Sequence, residues 1–377
     1  MSEPAPTVLV AGFSGRALAA SARRAGYVPL VADAYGDEDT RALAGDVRTL
    51  PHAVTRGFAE RSLTAALDEL AADAPAAPVG LVLGAGFEDD PDLIFALSRR
   101  FNLLGCQAGS VRAAKDPATF FPLLESLGIA HPETRTTPPK DGRGWLSKRI
   151  GGSGGGHIAV CRQRVAGVPG RYYQRRIEGE AVSMLGVVNH RRAAFAFTSQ
   201  WAAPMPRRPF RYGGAAGSID VEADLEALMI DIGLDLTRAL SLAGLVSFDF
   251  MVADGVPHLI ELNPRPGASL DVLDDDTGTL FKAHLAACGG DDPTLVLEGG
   301  WRPKPRAAAY VYADAGDLEV PAIAWPEWVS DRPAAGTHVP RHRPIATVHA
   351  TGPDVAAANR LLDERIGELM RMIYPRP

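Results

Sequence analysis

Cysteine is scarce and dispersed: Cys106, Cys161 and Cys288 are the three in 377 residues, with no CxxC pair and no histidine at ligand spacing. That excludes a disulfide framework and a cysteine-based zinc site. A basic surplus is missing as well, since 39 Lys and Arg against 45 Asp and Glu leave a formal charge of −6, which argues against a general nucleic-acid binder. No run of about 18 apolar residues suits a membrane span. The opening MSEPAPTVLV has no basic start leading into an apolar signal core, so the expected location is the cytoplasm, with no membrane partner. Internal repeats and low-complexity tracts are absent too. What remains is an ordinary globular composition, 46% hydrophobic and 22% charged, in a chain long enough for about two or three domains.

The most informative stretch is VSFDFMVADGVPHLIELNPRPG, residues 246–267. Alternation over Val246–Ala253 and again over Val256–Leu262, with the hairpin dipeptide Asp254-Gly255 between them, predicts two antiparallel strands. Glu261 and Asn263 stand two apart and share a face, and the hairpin register can bring Asp249 opposite them. Two carboxylates and an amide oxygen are hard ligands suited to Mg²⁺ or Mn²⁺, which also take substrate phosphate oxygens. Arg265 continues the same face as a fixed cation. Hairpin carboxylates are commonly solvated, but Phe248, Phe250, Leu259, Ile260 and Leu262 predict a buried hairpin, in which a carboxylate must be paired, hydrogen-bonded or metal-bound.

From the N-terminus, Thr7–Ala11 reads as a buried strand, Gly12–Arg16 as a glycine turn, Ala17–Ala25 as a helix ended by Gly26, and Val28–Ala32 as a strand closed by Asp33. With helices at Ser62–Ala72 and Asp92–Arg100 and a strand at Val79–Gly84, residues 1–105 are expected to form an open parallel, Rossmann-like sheet. Asp33 follows the first glycine by about 20 residues, as in a dinucleotide site, yet the turn is GFSG and not GxGxxG. Ligands of such sheets bind at the carboxyl ends of the strands. Ser14 and Arg16 are therefore candidate substrate contacts, or else simple punctuation of the first turn.

Farther on, helices are expected at Ser110–Lys115 and Pro117–Leu127, the second stopped by Gly128. Trp145–Lys148 then reads as a strand that delivers a lysine to the glycine run 151–156. Glycine lets backbone N–H groups approach phosphate oxygens while the ammonium supplies charge; with no ligand, the same run is a hairpin tip. Because the lysine precedes the glycines, this is not a Walker loop. Arg171–Arg176 and Ala181–Asn189 are expected strands. Ala202–Gly217 reads as a Pro/Gly loop carrying Arg207, Arg208 and Arg211, facing either an anionic substrate or solvent. A long helix, Asp224–Ala243, leads back to the hairpin. Strands at Ala307–Ala313 and Ile345–Ala350 and a helix at Asp354–Glu368 predict a small α+β appendage.

The pattern D-x(11)-E-x-N-x-R-P, preceded by Lys148 and its glycine run, resembles the metal site of the ATP-grasp superfamily of carboxylate ligases. GFSGRALAASARRAGY, ADAYGDEDTRALA and NPRPGASLDVLD extend the resemblance, to a subgroup of predicted carboligases, over most of residues 7–290. The resemblance implies an α/β and α+β fold: an N-terminal domain at 1–105, an ATP-grasp lid subdomain at 106–182, a metal-binding catalytic subdomain at 183–300 and the appendage at 301–377. It implies ATP and Mg²⁺ (or Mn²⁺) as cofactors. The metal would be held by Asp249, Glu261 and Asn263, and the phosphates by Lys115, Lys148, Gly154 and Gly155. Backbone groups of Gln174, Arg175, Arg176 and Ile177 would form the adenine hinge, Glu180 would accept the ribose hydroxyls, and Arg265 and Lys148 would be catalytic. The glycine run would be a lid that opens and closes.

The implied reaction joins a small-molecule carboxylate to an amine through an acyl phosphate, and a homodimer is compatible with it. Subgroup proteins of one-carbon cofactor pathways point to glutamate, or a related amino acid, added to a methanofuran- or tetrahydromethanopterin-type precursor. Ser247 departs from the pattern, since it stands where some ligases of the superfamily carry an arginine. Two other readings stay open: an NAD(P)-dependent dehydrogenase built on the first βαβ unit, and a non-catalytic nucleotide-binding protein.

Overall fold

The computed structural model describes residues 5–298, 301 and 303–374. Its first sheet is parallel, made of β1 (Thr7–Gly12), β2 (Val28–Asp33), β3 (Asp46–Thr49) and β4 (Leu81–Leu83) in the order β3-β2-β1-β4. Every residue of β1 is buried. Leu9 and Ala11 belong to one apolar cluster and Val8 and Val10 to another, as expected of a strand covered on both faces. Helices Ala108–Lys115 and Pro117–Ser126 follow, and the junction is sharp because Asp116 caps the second helix through the Ala118 amide (3.0 Å) with Pro117 in its first turn.

A small antiparallel sheet comes next: β5 (Thr134–Arg135), β6 (Trp145–Arg149), β7 (Ala159–Val160) and β8 (Arg171–Arg175), in the order β5-β8-β6-β7. The large sheet then takes β9 (Glu180–Val188), β10 (Ala193–Ala202), β11 (Tyr212–Gly217), β12 (Gly244–Ala253), β13 (Val256–Asn263) and β14 (Arg306–Tyr312). After a two-stranded ribbon of β15 (Leu318–Glu319) and β17 (His338–Val339), it is completed by β16 (Val329–Ser330) and β18 (Pro344–Thr351). Its order is β13-β12-β9-β10-β11-β14-β18-β16. The C-terminal α+β segment thus packs on the core by extending its sheet, and helix Val355–Ile373 covers it through Ala358, Leu362, Leu369 and Ile373.

One expected loop is partly a strand. Residues 212–217, YGGAAG, form β11 between β10 and β14. Small residues are required there because a Cβ on Gly214 would come within 2.4 Å of both the Trp201 ring and the Ala308 carbonyl. Glycine permits this close approach at the expense of local strand propensity.

Candidate active site

The hairpin of β12 and β13 turns through Asp254 and Gly255, both in the left-handed region (φ 50° and 75°), as a two-residue turn demands. Regular pairing from that turn would set Ile260 opposite Asp249. The register instead shifts after Phe250, which pairs with Leu259, so that Asp249 faces Glu261 and Ser247 faces Asn263. This bulge re-aims Glu261. The amide nitrogen of Asn263 donates to Asp249 Oδ2 (3.0 Å), and Ser183 Oγ donates to Asp249 Oδ1 (2.8 Å). Lys115, at the end of its helix, bridges Glu261 Oε1 (2.7 Å) and Asn263 Oδ1 (2.8 Å).

Lys148 enters from β6, 3% exposed. Burial lowers its pKa, while Glu261 and Asp249 hold its charge. Burial, reinforced by Glu261, pushes Asp249 up to about 6. Burial would push Glu261 upward too, but Lys115 and Lys148 together hold it below the usual carboxylate value. Hard oxygens of Glu261 and Asn263 meet at the Lys115 ammonium, with the Asp249 carboxylate held beside them by the Asn263 amide, which is the environment that a divalent cation bound by oxygen would share. The donor set therefore fits Mg²⁺ or Mn²⁺.

The small sheet closes over this group. Lys115, Phe120, Phe121, Arg149, Gly152, His157, Tyr172, Ile260 and Glu261 are among the residues lining a cavity of about 20 Å³, room for a water molecule but not for a nucleotide. The glycine run is seated at both ends. A Cβ on Gly151 would lie 2.5 Å from Asp89 Cα, one on Gly155 would lie 1.8 Å from the Phe210 carbonyl oxygen, and the Gly154 carbonyl accepts from the Tyr212 amide (3.0 Å). Arg149 adds an ion pair with Asp89 (3.0 Å). Gly151, Gly154 and Gly155 all have positive φ, so only glycine makes these approaches without strain. The glycine run is packed against Asp89 on one side and the loop between β10 and β11 on the other.

Arg265 donates through Nε to Glu88 Oε1 (2.7 Å). Glu88, from the N-terminal domain and 3% exposed, also accepts from the amides of Gly86 and Phe87. Burial opposes its ionisation, yet Arg265 and Lys115 outweigh that and hold it at about 2.

Other expected contacts are engaged elsewhere. Arg16 is not free for a substrate: it forks onto Asp271 (2.5 and 2.7 Å) and also binds Asp331 (2.9 Å). Ser14 donates to Asp331 as well (3.0 Å). Arg211 is ion-paired with Asp314 (2.7 Å) and lies over the Tyr312 ring, because it directly precedes β11, which lies beside β14. Arg207 and Arg208 are exposed on the remaining loop. In the expected hinge, the Gln174 side chain is buried toward Thr134, while the amides of Arg175 and Arg176 already donate to Glu133 and Gly144. Among the described residues the Ile177 amide has no backbone partner, and the Glu180 side chain is exposed at the start of β9. Asp33 binds the amides of Gly15 (3.1 Å) and Gly36 (2.8 Å), which occupies the carboxylate that a dinucleotide ribose would need.

Sequence reasoning missed His157, Tyr172 and Glu88. Only the histidine, directly after the glycine run, carried a signal. Burial pushes its pKa down to about 4, so it faces the site neutral.

A search of curated proteins finds no significant match. The fold is similar to that of L-amino acid ligase from Bacillus licheniformis (TM-score 0.72, 12% identity, 97% of this chain and 98% of that one). It is similar to phosphoribosylamine–glycine ligase from Thermotoga maritima (0.70, 18%, 96% and 96%). It is also similar to the biotin carboxylase domain of 2-oxoglutarate carboxylase from Hydrogenobacter thermophilus, solved as a dimer with MgADP and bicarbonate (0.69, 13%, 96% and 89%). Residues 114–269, which run from just before the bridging lysine to just past the β12–β13 hairpin, match the family described as ATP-grasp domain.

Proposed function

We propose that this chain is an ATP-dependent carboxylate–amine ligase that forms a carbon–nitrogen bond through an acyl phosphate. The observation that carries the reading is the closed cleft in which Lys115 and Lys148 face Asp249, Glu261 and Asn263. Such a set balances the charge of a polyphosphate and a hard cation, and phosphoryl transfer asks little more of a protein than positioning and charge stabilisation. Asp249, Glu261 and Asn263 would hold a Mg²⁺, which would supply neutralisation of the charge that develops on the transferred phosphoryl. Lys148 and Lys115 would hold the outer phosphates, Gly154 and Gly155 would cover them, and Arg265, fixed by Glu88, would stabilise the transferring group. Ile177 supplies the amide for the adenine edge and Glu180 the carboxylate for the ribose.

Support comes from the family match and from relatives named as ligases of amino acids or of glycine. Small-molecule substrates, a cytoplasmic setting and a homodimer fit this reading, and no helix among the described residues is long and apolar enough to cross a membrane. Glutamate with a methanofuran- or tetrahydromethanopterin-type precursor is the first substrate pair to try. The test is ATP-dependent phosphate release across a panel of carboxylates and amines, with hydroxylamine as a trap. Hydroxamate formed with one carboxylate supports the ligase; nucleotide binding without phosphate release under any pair favours a non-catalytic binder.

A further inference from the structure

Charge is unevenly spread over this chain. Residues 131–178, which hold the small sheet and its loops, carry ten Lys and Arg against three Asp and Glu, a surplus of +7 in a chain whose total is −6, leaving −13 for the rest. Strand register decides where that surplus faces. Lys148 pairs with Tyr172 and both turn toward the metal-ligand set, so Trp145 and Arg175, three positions from them, look outward. Arg135, paired with Tyr173, joins them. Both guanidinium groups lie over the Trp145 ring at 5.1 Å. The 161–170 loop folds back over this face, since Tyr173 Oη donates to the Ala166 carbonyl (3.2 Å) and the Gly142 amide to the Gln163 carbonyl (3.2 Å), and it brings Arg162 and Arg164 beside Lys140 and Arg143. All six basic side chains are exposed. Glu133 and Asp141 pair with Arg135 and Arg143, whereas Lys140, Arg162, Arg164 and Arg175 form no ion pair among the described residues.

The opposite charge gathers on helix Ala223–Leu240. Residues 220–235 hold six acids (Asp220, Glu222, Asp224, Glu226, Asp231 and Asp235) and no Lys or Arg. Asp224, Leu228, Asp231 and Asp235, spaced four, three and four, form one exposed stripe, with Leu228 46% exposed at its centre. Beyond the first turn the helix dipole gives an acid no help, and Asp231 and Asp235 repel each other. The helix covers the large sheet on the face away from the site: a Cβ on Gly233 would lie 2.8 Å from Met184 Cε and from the Phe195 ring, whereas Ser183, the neighbour of Met184 on β9, binds Asp249 on the other face. The acidic stripe and the basic face therefore look in opposite directions and cannot meet within one copy. We propose that the basic back of the small sheet docks on the acidic stripe of helix Ala223–Leu240 in a second copy of this chain. The magnitudes favour that partner over a nucleic acid, because the −13 carried by the rest of the chain repels a long polyphosphate but complements the +7 of the sheet. Leu228 on one side and Val168, 52% exposed on the 161–170 loop, on the other supply an apolar centre within a polar rim. Since the two faces differ and point apart, the contact is heterologous and repeats head to tail.

Sedimentation velocity of the full chain tests this at about 0.02 M and about 0.5 M salt, between which the screening length falls from roughly 20 Å to roughly 4 Å. Wild type should self-associate at low salt, with a mass that rises with protein concentration, and should associate at least about tenfold more weakly at high salt. Arg162→Glu/Arg164→Glu and Asp231→Lys/Asp235→Lys should each lose at least about tenfold in association at low salt. Mixed one to one, the two variants should form a pair and stop there, since each supplies the face that the other lacks. All four positions are exposed, and a melting scan shows whether each variant is folded. If a reversal does not fold, the neutral versions Arg162→Gln/Arg164→Gln and Asp231→Asn/Asp235→Asn take its place, with a smaller loss in the same direction. Wild type that stays monomeric at about 0.1 mM and low salt overturns the proposal, and binding of poly-glutamate or single-stranded DNA by that monomer would give the face to another partner. Assembly indifferent to both pairs of substitutions, or folded variants that do not pair when mixed, overturns it as well.

Discussion

Glu261 is legible from its spacing and the hairpin does bring it opposite Asp249, but the bulge that sets it there is not legible. The two-residue turn predicts a regular register that would have put Ile260 there, and only the bulge brings the carboxylates together. Glu261→Gln keeps size and hydrogen-bonding capacity but removes a charge. It should fold normally and lose more than tenfold in turnover at saturating Mg²⁺, where each tenfold step is about 1.4 kcal/mol of barrier; a rate above a tenth of wild type would remove Glu261 from the metal set. Glu88 could not be found from sequence, since nothing local tells a buried acid from a solvated one. Its carboxyl sits at about 2 against an ordinary 4.5. A depressed acid stabilises the fold above its unfolded value and loses that contribution as pH falls through the folded value, here on the order of 3 kcal/mol between about pH 4.5 and 2. Urea unfolding of Glu88→Gln at stepped pH should therefore show a flatter acid limb than wild type. An equally steep limb would mean that the Glu88–Arg265 pair contributes little.

The metal hairpin, the first parallel strands and the long helices could be placed from periodicity and turn residues, because their local and tertiary preferences agree. β11 could not. Its composition is that of a loop, and the packing of Trp201 and Ala308 on its glycines is a tertiary fact. The glycine run is legible in the sequence, but the place where it seats is not. Gly155→Ala tests that seating: a left-handed backbone disfavours alanine by about 1–2 kcal/mol, and its Cβ would meet the Phe210 carbonyl oxygen at 1.8 Å. The lid of the variant should stand off, with faster protease cleavage within 151–156 and weaker ATP binding while the melting temperature changes little. A wild-type cleavage pattern would place the catalytic closure somewhere other than Phe210. Lys148→Ala, on the strand that carries the lid, should weaken ATP more than ADP, whereas equal loss of both would indicate a collapsed sheet.

Across the molecule, one buried knot ties the N-terminal domain, the segment after the metal hairpin and the C-terminal extension: Arg16 with Asp271 and Asp331, the latter also holding Ser14 and Thr347. Sequence showed Arg16 at the carboxyl end of β1 but not its partners, which lie 255 and 315 residues away. Asp331→Ala should destabilise the whole chain by about 1–3 kcal/mol, the scale of lost hydrogen bonds to a charged group, because Arg16 keeps its fork onto Asp271. A urea midpoint within error of wild type would show that the extension is held by its sheet alone. The central claim is that this cleft binds MgATP through the hairpin oxygens, and titration calorimetry of ATP into the full chain tests it most directly. Binding should require Mg²⁺, weaken at least about tenfold in Glu261→Gln, and have no counterpart with NAD⁺ or NADP⁺. ATP binding indifferent to both Mg²⁺ and Glu261, or binding of the dinucleotides instead, would contradict it.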